Sequence, residues 1–472
     1  MKKQIVSMII IVFIAVTSGC GVSGLPDDKD NPDEFVELVW YTNGQRPADM
    51  DVVLSTANEY LKNKLNCTLK IVFVGDKEYD TKLTTITTAG DKYDIANSLP
   101  NMFDYRVAAG VGYISPLNEL LKKNTPALKQ IINPIAWSAA QINGECYAIP
   151  ANYGLAHQLT LVTRAPITNS NELMKTFARA HTEDPGIVVI TNLGELTRAA
   201  NLDYVVDGYF PAAVKFDDKT CRIINQFEDP NYIALLKTIR VAAQKQYYVK
   251  DMNAAESQNV FAANNAFSLI ESLSYLDRFT KTKFNKANII PLTANQRITA
   301  LNVNASALVI SATSAHPTRA LRLIELLYAD EYLKNLLTFG IENRHYEKTA
   351  DGHIHFLTDH GNYLIEETAF GNAFLDYVPE TQPLNKWQAV QEYDTSASVS
   401  PLAGFVVDVQ PLKRLLPGLV NAVSKYQNGL RSGALDVDQA VAALIIDLKA
   451  NGLDEFLQLL QNQVDSWRNR KT

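Results

Sequence analysis

Val36-Glu37-Leu38-Val39-Trp40-Tyr41 is followed by the loop Asn43-Gly44-Gln45-Arg46-Pro47, and then by Val53, Ala57, Leu61 and Leu65 at helical spacing. A strand-like apolar run, a turn-rich loop and a stripe of period 3.6 read as one strand, loop and helix. The unit recurs. Leu69-Lys70-Ile71-Val72-Phe73-Val74 predicts a second strand, Asp80 to Ala89 a helix, and Tyr93-Asp94-Ile95-Ala96-Asn97 a short third strand. Repeated βα units imply a parallel sheet and the α/β class.

Working outward, a second series predicts another α/β lobe: Leu159 to Thr163, a helix near Asn171 to Ala180, Gly186 to Ile190, a long helix from about Asn231 to Lys245, and Ala266 to Ile270. The strand Ala307-Leu308-Val309-Ile310 and helices over Pro317 to Ala329 and Glu331 to Phe339 return to the first lobe. The last 65 residues carry three apolar helix faces, marked by Leu412, Leu415, Leu416, Leu419 and Val423, by Val441, Leu444, Ile445 and Leu448, and by Phe456, Leu457, Leu460, Val464 and Trp467. At 472 residues the chain exceeds the usual domain size of about 100 to 200. The expected division is a signal over 1–19 and a tether over 20–35, then a first lobe over 36–152 completed by about 303–343. A second lobe over 153–302, completed by about 344–403, and a helical region over 404–472 follow. Crossings between the lobes are expected near Pro150 to Gly154, near residues 295–305, and between Gly340 and Asp351.

The N-terminus reads as an export signal: Lys2 and Lys3, then an uncharged stretch from Ile5 to Val16, then Thr17-Ser18-Gly19-Cys20. The apolar stretch falls short of the roughly 20 residues a spanning helix needs. The small residues before Cys20 resemble a bacterial lipobox, which implies cleavage at Cys20 and diacylglycerol on its sulfur. Gly21 to Glu34, rich in Gly, Pro and Asp, reads as a flexible tether. A formal charge of -7 leaves no broad basic surface for phosphates, so nucleic acid is excluded as a partner. A 47% hydrophobic composition supports a sizeable core, and four cysteines are too few for a disulfide-built module.

Catalytic signatures are absent: no phosphate-cradling Gly-x-x-x-x-Gly-Lys, no Gly-x-Gly-x-x-Gly turn, no Gly-x-Ser-x-Gly elbow and no His-Glu-x-x-His helix. His345, His353, His355 and His360 lie close together in sequence and give the alternative reading, a metal-dependent surface hydrolase or metal-binding receptor. Against it, Asp351-Gly352 between Tyr346 and His353-Ile354-His355-Phe356 reads as a surface hairpin. Cys67, Cys146 and Cys221 leave a disulfide between two of the three open.

Local motifs in chain order include Asp49-Met50-Asp51-Val52-Val53, Tyr79-Asp80-Thr81-Lys82-Leu83, Tyr93-Asp94-Ile95, Ile114-Ser115-Pro116-Leu117 and Ile142-Asn143-Gly144-Glu145-Cys146-Tyr147-Ala148-Ile149-Pro150. Gly340-Ile341-Glu342-Asn343-Arg344-His345-Tyr346-Glu347-Lys348, Gly371-Asn372-Ala373-Phe374, Gly404-Phe405 and Gln463-Val464-Asp465-Ser466-Trp467 follow. With these motifs the chain resembles the extracellular solute-binding lipoproteins of ABC importers, in the sugar-binding-like group that ends in the domain of unknown function DUF3502. Asn343 where that group has glycine, and Cys146 where lysine is common, are departures. The resemblance implies a two-lobed periplasmic-binding-protein-like fold of type II with extra C-terminal helices. It further implies a non-enzymatic, monomeric receptor without a cofactor, lipid-anchored at Cys20 on the extracellular face of the bacterial cytoplasmic membrane. Such a receptor takes a carbohydrate, expected to be an oligosaccharide, to an ABC importer permease.

A sugar calls for aromatic faces against its C–H face and polar side chains on its hydroxyls. Most of the 21 Tyr and four Trp must be core, so the candidates are those beside loops at strand ends. Asn43 and Gln45 follow strand one, Tyr79 follows strand two, Asn97 and Ser98 follow strand three, and Asn152 and Tyr153 follow Ile149-Pro150. Tyr209, Glu271 and Trp387 are the second-lobe candidates.

Overall fold

The computed structural model describes residues 30–99, 102–164, 170–205, 210–247, 254–279, 287–303, 306–365 and 370–471. Its two main sheets use strands β1 (Val36–Asn43), β2 (Cys67–Val74), β3 (Ile95–Ser98), β4 (Ile149–Pro150), β5 (His157–Thr163), β6 (Val188–Thr191), β7 (Ala266–Ser274), β8 (Asn288–Pro291), β9 (Arg297–Ile298), β10 (Ala307–Ile310) and β11 (Ser398–Val399).

The opening unit folds as its pattern requires. β1 and β2 pair in parallel from Val36 with Cys67 to Asn43 with Val74, joined by the Met50–Leu65 helix. That helix buries Met50, Val53, Leu54, Ala57 and Leu61, one stripe at spacings of three and four, and ends at Asn66 in the left-handed conformation. β3 pairs with the other edge of β1, and the sheet runs β2-β1-β3-β10-β4. β10 enters antiparallel after a long excursion, bringing the Pro317–Ala329 and Glu331–Phe339 helices back onto the first core. The second sheet runs β11-β9-β5-β7-β6, with β8 also paired to β5. Here β7 is parallel to β6 and antiparallel to β5.

The helices Leu416–Arg431, Val437–Ala450 and Leu453–Lys471 are not an appendage. Leu419, Val423, Leu444, Leu448, Phe456, Leu460 and Val464 share one buried cluster with Phe227, Tyr232, Leu236 and Ile239 of the second lobe. Each such side chain contributes about 1.5–3 kcal/mol when fully buried, so this shared core holds the three helices far more firmly than their surface contacts do. Nearby, Leu402 and Phe405 join the second core while Ala403, between them, packs into the first.

The third crossing lies later than the sequence suggests. Gly340 to Asp351 stays on the first lobe, where Arg344 and His345 both bond the Asp49 carboxylate, the latter through Nε2 at 3.1 Å. Residues 371–380 stay there too. Asn372 N–H donates to Leu327 O, Tyr377 N–H donates to Asn335 Oδ1, and the fully buried Lys334 Nζ donates to Asp376 Oδ1 at 2.6 Å. The chain then passes through the Lys386–Thr395 helix into β11, so the crossing lies over Lys386 to Ser398. Long-range ion pairs leave no periodic trace, which is why the sequence misplaces it. Cys67, Cys146 and Cys221 are free and buried, and burial pushes the Cys67 thiol up to about 11 and that of Cys146 up to about 12. Among the described residues no helix is long and apolar enough to cross a membrane.

Because both partners of the Lys334–Asp376 pair are fully buried, Lys334→Met strands a carboxylate without its counter-ion. A loss of about 3–5 kcal/mol in denaturant stability is expected, most of it recovered in Lys334→Met/Asp376→Leu. A single variant within 1 kcal/mol of wild type, a difference of about fivefold in the folding equilibrium, contradicts this reading.

Candidate functional site

Strand directions place the carboxyl ends of both sheets at the crossings. In the first lobe the parallel strands end at Asn43, Val74 and Ser98, and Ser98 pairs with Ala307, which in turn pairs with Pro150. The first crossing leaves from Pro150 and enters β5 at His157, which pairs with Ser274 at the carboxyl end of β7. The second crossing starts from β9, whose Arg297 also pairs with His157. A crevice between carboxyl ends is the usual ligand position in open α/β sheets.

Two hollows flank the second crossing, separated by the Ala300–Val303 helix. The first-lobe hollow is lined by Ser98, Tyr105, Arg106, Ala136, Pro150, Val303 and Ser306. The second-lobe hollow is lined by His157, Arg198, Asp203, Tyr204, Ser272, Thr293, Arg297, Thr299 and Asn302. Where the first and third crossings meet the carboxyl end of β7, an aromatic group assembles. Tyr153, Tyr275 and Phe374, all half-buried, pack with the buried Trp387 and Val390, and the Phe374 and Trp387 rings meet edge to face at 5.6 Å.

The crossings are tied to one another. Asp394, on the third, accepts Leu155 N–H at 2.9 Å and Ala156 N–H at 2.8 Å on the first. The fit is close enough that a Cβ on Gly154 would lie 2.5 Å from Val390 Cγ1. Gln296 Nε2, entering the second crossing, donates to Tyr393 O at 3.0 Å and to Ser396 Oγ at 2.6 Å on the third.

Charge in the second-lobe hollow is unevenly satisfied. Arg198 and Arg431 both bond Glu195, and their charge holds its carboxyl below the usual range against the opposing effect of burial. Asp203 accepts Ala300 N–H at 3.0 Å, yet burial pushes its carboxyl up to about 6. Burial also lowers the His157 imidazole, whose Nδ1–H donates to Leu155 O at 3.2 Å.

The sequence candidates fall into three groups. Tyr79 is a correction: it is fully buried, its hydroxyl donates to Tyr41 O and Asn97 O, and it has no surface for a ligand. Asn97 and Ser98 are nearly as buried; Asn97 Oδ1 accepts Trp40 Nε1–H at 2.7 Å, and Ser98 Oγ accepts Tyr105 N–H at 2.8 Å while edging the first hollow. Asn152 is also committed internally, donating to Ile131 O and Asn372 Oδ1. Asn43, which donates to Asp76 Oδ1, and the exposed Gln45 stand at the end of β1. Tyr153 and Trp387 belong to the aromatic group, where Trp387 Nε1–H donates to Asp376 O. Glu271 lies within β7 and accepts from Gln258 Nε2 at 3.1 Å, away from the carboxyl end of that strand. Tyr209 lies outside the described residues. Sequence reasoning missed Tyr275, Phe374, Asp203 and Arg297. Tyr275 directly follows Ser274 at a strand end, a usable signal, whereas nothing local marks the others.

The alternative built on histidines does not assemble. His345 is held between Ile341 N–H and Asp49, His353 between Asp351 and Gln382 O, His355 bonds Glu380, and His360 stacks on Phe356 at 3.8 Å. No group of three or more metal-ligating side chains exists among the described residues.

The family model for bacterial extracellular solute-binding proteins matches residues 47–334, and that for the domain of unknown function DUF3502 matches 401–469. The chain is 23% identical, over all of its length and 99% of the other, to a carbohydrate ABC transporter substrate-binding protein of Streptococcus pneumoniae. The crystal structure of the N-glycan transport solute binding protein (NgtS) of that organism matches with a TM-score of 0.81 at 22% identity, covering 93% of this chain and 100% of that one. In complex with Man5GlcNAc the same protein matches with a TM-score of 0.73 at 23% identity and the same coverage. An extracellular solute-binding protein of Bifidobacterium longum subsp. infantis matches at 0.68 and 15% identity, covering 93% of this chain and 99% of that one. These likenesses agree with two lobes and a crevice.

The raised Asp203 carboxyl has a linkage consequence. Between about pH 4 and pH 6 the native chain holds a proton that the unfolded chain has released, so the stability contributed there falls as pH rises through this window. Asp203→Asn removes the titration. Urea midpoints of variant and wild type at pH 4, 5, 6 and 7 are expected to shift in the variant's favour across the window and then level off. A difference independent of pH overturns the assignment.

Proposed function

We propose, from the premise that this chain belongs to the bacterial extracellular solute-binding protein family, that it is a receptor which captures an oligosaccharide between its lobes and delivers it to the permease of an ABC importer. The observation that carries this reading is the half-buried aromatic group Tyr153, Tyr275 and Phe374 beside a hollow rich in hydroxyl, amide and guanidinium groups. Aromatic faces take the C–H side of a sugar ring, and planar donors and hydroxyls take its oxygens. The pneumococcal relatives, a carbohydrate ABC transporter substrate-binding protein and an N-glycan transport solute binding protein, support the same ligand class.

The chemistry is binding alone: no bond of the ligand is made or broken. Ligand held by both lobes favours the shut form by the difference between its affinities for the shut and open forms, and the permease reads the shut form. The export signal and the Thr17-Ser18-Gly19-Cys20 motif support a lipid anchor at Cys20 that holds the protein, taken here as a monomer, on the outer face of the cytoplasmic membrane.

A thermal-shift screen of mono- and oligosaccharides tests the reading, since ligand at 100 times Kd adds about 2.7 kcal/mol of apparent stability. Tyr275→Ala is expected to weaken a hit about fivefold, the loss of one ring contact worth about 1 kcal/mol. Silence toward every sugar, with a response to peptides or amines, defeats the carbohydrate assignment. Mass spectrometry of the membrane-bound protein is expected to find Cys20 as the diacylated first residue, and Cys20→Ala to release the protein into the medium.

A further inference from the structure

The second-lobe hollow contains a cation, Arg297, that makes no direct ion pair among the described residues. Arg297 lies half-buried at the end of β9, with its guanidinium 4.8 Å from the Phe216 ring centroid. Of its five N–H donors, one reaches Asn201 Oδ1 at 3.0 Å and one reaches Arg198 O at 3.4 Å. Among the described residues no carboxylate lies within ion-pair distance of it. The neighbouring charges are committed elsewhere. Arg198 shares Glu195 with Arg431, and Asp203 is buried under Ala300 N–H and the Ser400 hydroxyl. His157, the remaining titratable ring, is held neutral by burial and bonds Leu155 O. The remaining polar lining groups are Ser272, Thr293, Thr299 and Asn302, which are uncharged, and Tyr204, whose hydroxyl is pushed well up by burial.

A cation fixed by aromatic stacking and two neutral acceptors, in a protein of net charge -7, is not there for solubility. Burial also draws this guanidinium below its usual range, and the charge of Asp203 across the hollow offsets that only in part, without a direct ion pair. A planar fork of this kind matches carboxylate and other oxyanions with two parallel bonds, which a hydroxyl cannot supply.

We propose that Arg297 gives the second-lobe hollow a preference for a sugar residue bearing an anionic group, a carboxylate or a sulfate ester, over its neutral counterpart. The proposal rests on the carbohydrate reading above and names the class of sugar within it. Arg297 acts as the specificity-determining residue, with the hydroxyl and amide groups around it holding the ring that carries the anion.

The test titrates the full mature chain with uronate-, sialate- and sulfate-bearing oligosaccharides, each beside its carboxyl-reduced or desulfated form. At least one anionic probe is expected to bind tenfold or more tightly than its neutral counterpart, with the advantage shrinking as salt is raised. Whether the carboxylated or the sulfated probes carry the advantage identifies the anion. In Arg297→Gln the ratio of anionic to neutral affinity falls to within twofold; Arg297→Lys keeps the charge without the fork and retains part of the advantage. Should Arg297→Gln fail to fold, the lysine variant and the wild-type salt dependence still decide. Equal binding of anionic and neutral forms by the wild type overturns this inference and leaves the carbohydrate receptor standing. An anionic preference that survives Arg297→Gln overturns the role of the residue, and failure of every saccharide overturns both readings together.

Discussion

Two backbone N–H groups on the first crossing, at Leu155 and Ala156, are held by one carboxylate on the third, Asp394, and the geometry of the crevice depends on that contact. A hydrogen bond to a charged group contributes about 1.5–3 kcal/mol, so two at one carboxylate outweigh the loose packing of an ordinary linker. The contact forms only because Gly154 lets the chain pass against Val390 without a Cβ. Gln296 then bonds Tyr393 of the same helix and Ser396 just beyond it from the second crossing, so the Lys386–Thr395 segment is tied to both other crossings. These contacts couple the three crossings to one another through one helix.

The parts of the fold legible in the sequence are those governed by local periodicity. β1, the Met50–Leu65 helix and β2 follow from alternation and a 3.6-residue stripe, and the three terminal helices follow from theirs. What was illegible is held by contacts between distant residues. Lys334 with Asp376, His345 with Asp49, and Asp394 with Leu155 connect positions 42, 296 and 239 residues apart, and each decides which lobe a segment joins. The same limit governs the site. Asn97 and Asn152 stand at strand ends and Tyr79 in the Asp76–Thr88 helix that follows β2, where a ligand group could stand, but each is satisfied by the protein's own polar atoms. Exposure, and not position alone, separates them from Tyr153 and Tyr275.

The C-terminal helices bear on both lobes. Their apolar faces complete the second core, yet Trp467 Nε1–H donates to Ser138 Oγ at 3.3 Å, Ser138 Oγ donates to Gly404 O, and Asn143 Nδ2 donates to Asp408 Oδ2 on the first lobe. Gly404, at φ +85°, could not carry a side chain, because its Cβ would lie 2.7 Å from that of Ser138. Polar contacts joined through a glycine are individually weak, about 0.5–1.5 kcal/mol net, while the buried leucines and phenylalanine on the other side hold firmly. Relative motion of the lobes therefore yields at Ser138 and Asn143 before it disturbs the second core.

Magnitudes favour an extended ligand over a single ring. Taking a two-state receptor from one part in a hundred shut to ninety-nine requires about 5.5 kcal/mol of differential affinity. One aromatic contact supplies about 0.5–1.5 kcal/mol, and one neutral hydrogen bond about the same net of its lost water. A lone sugar ring reaching only the hollow between Ser272 and Asn302 falls short on that arithmetic, since it touches one lobe and leaves the aromatic group at the first and third crossings unused. On the carbohydrate reading proposed above, a ligand of several rings would offer contacts to Tyr275, Tyr153 and Phe374 as well as to that hollow.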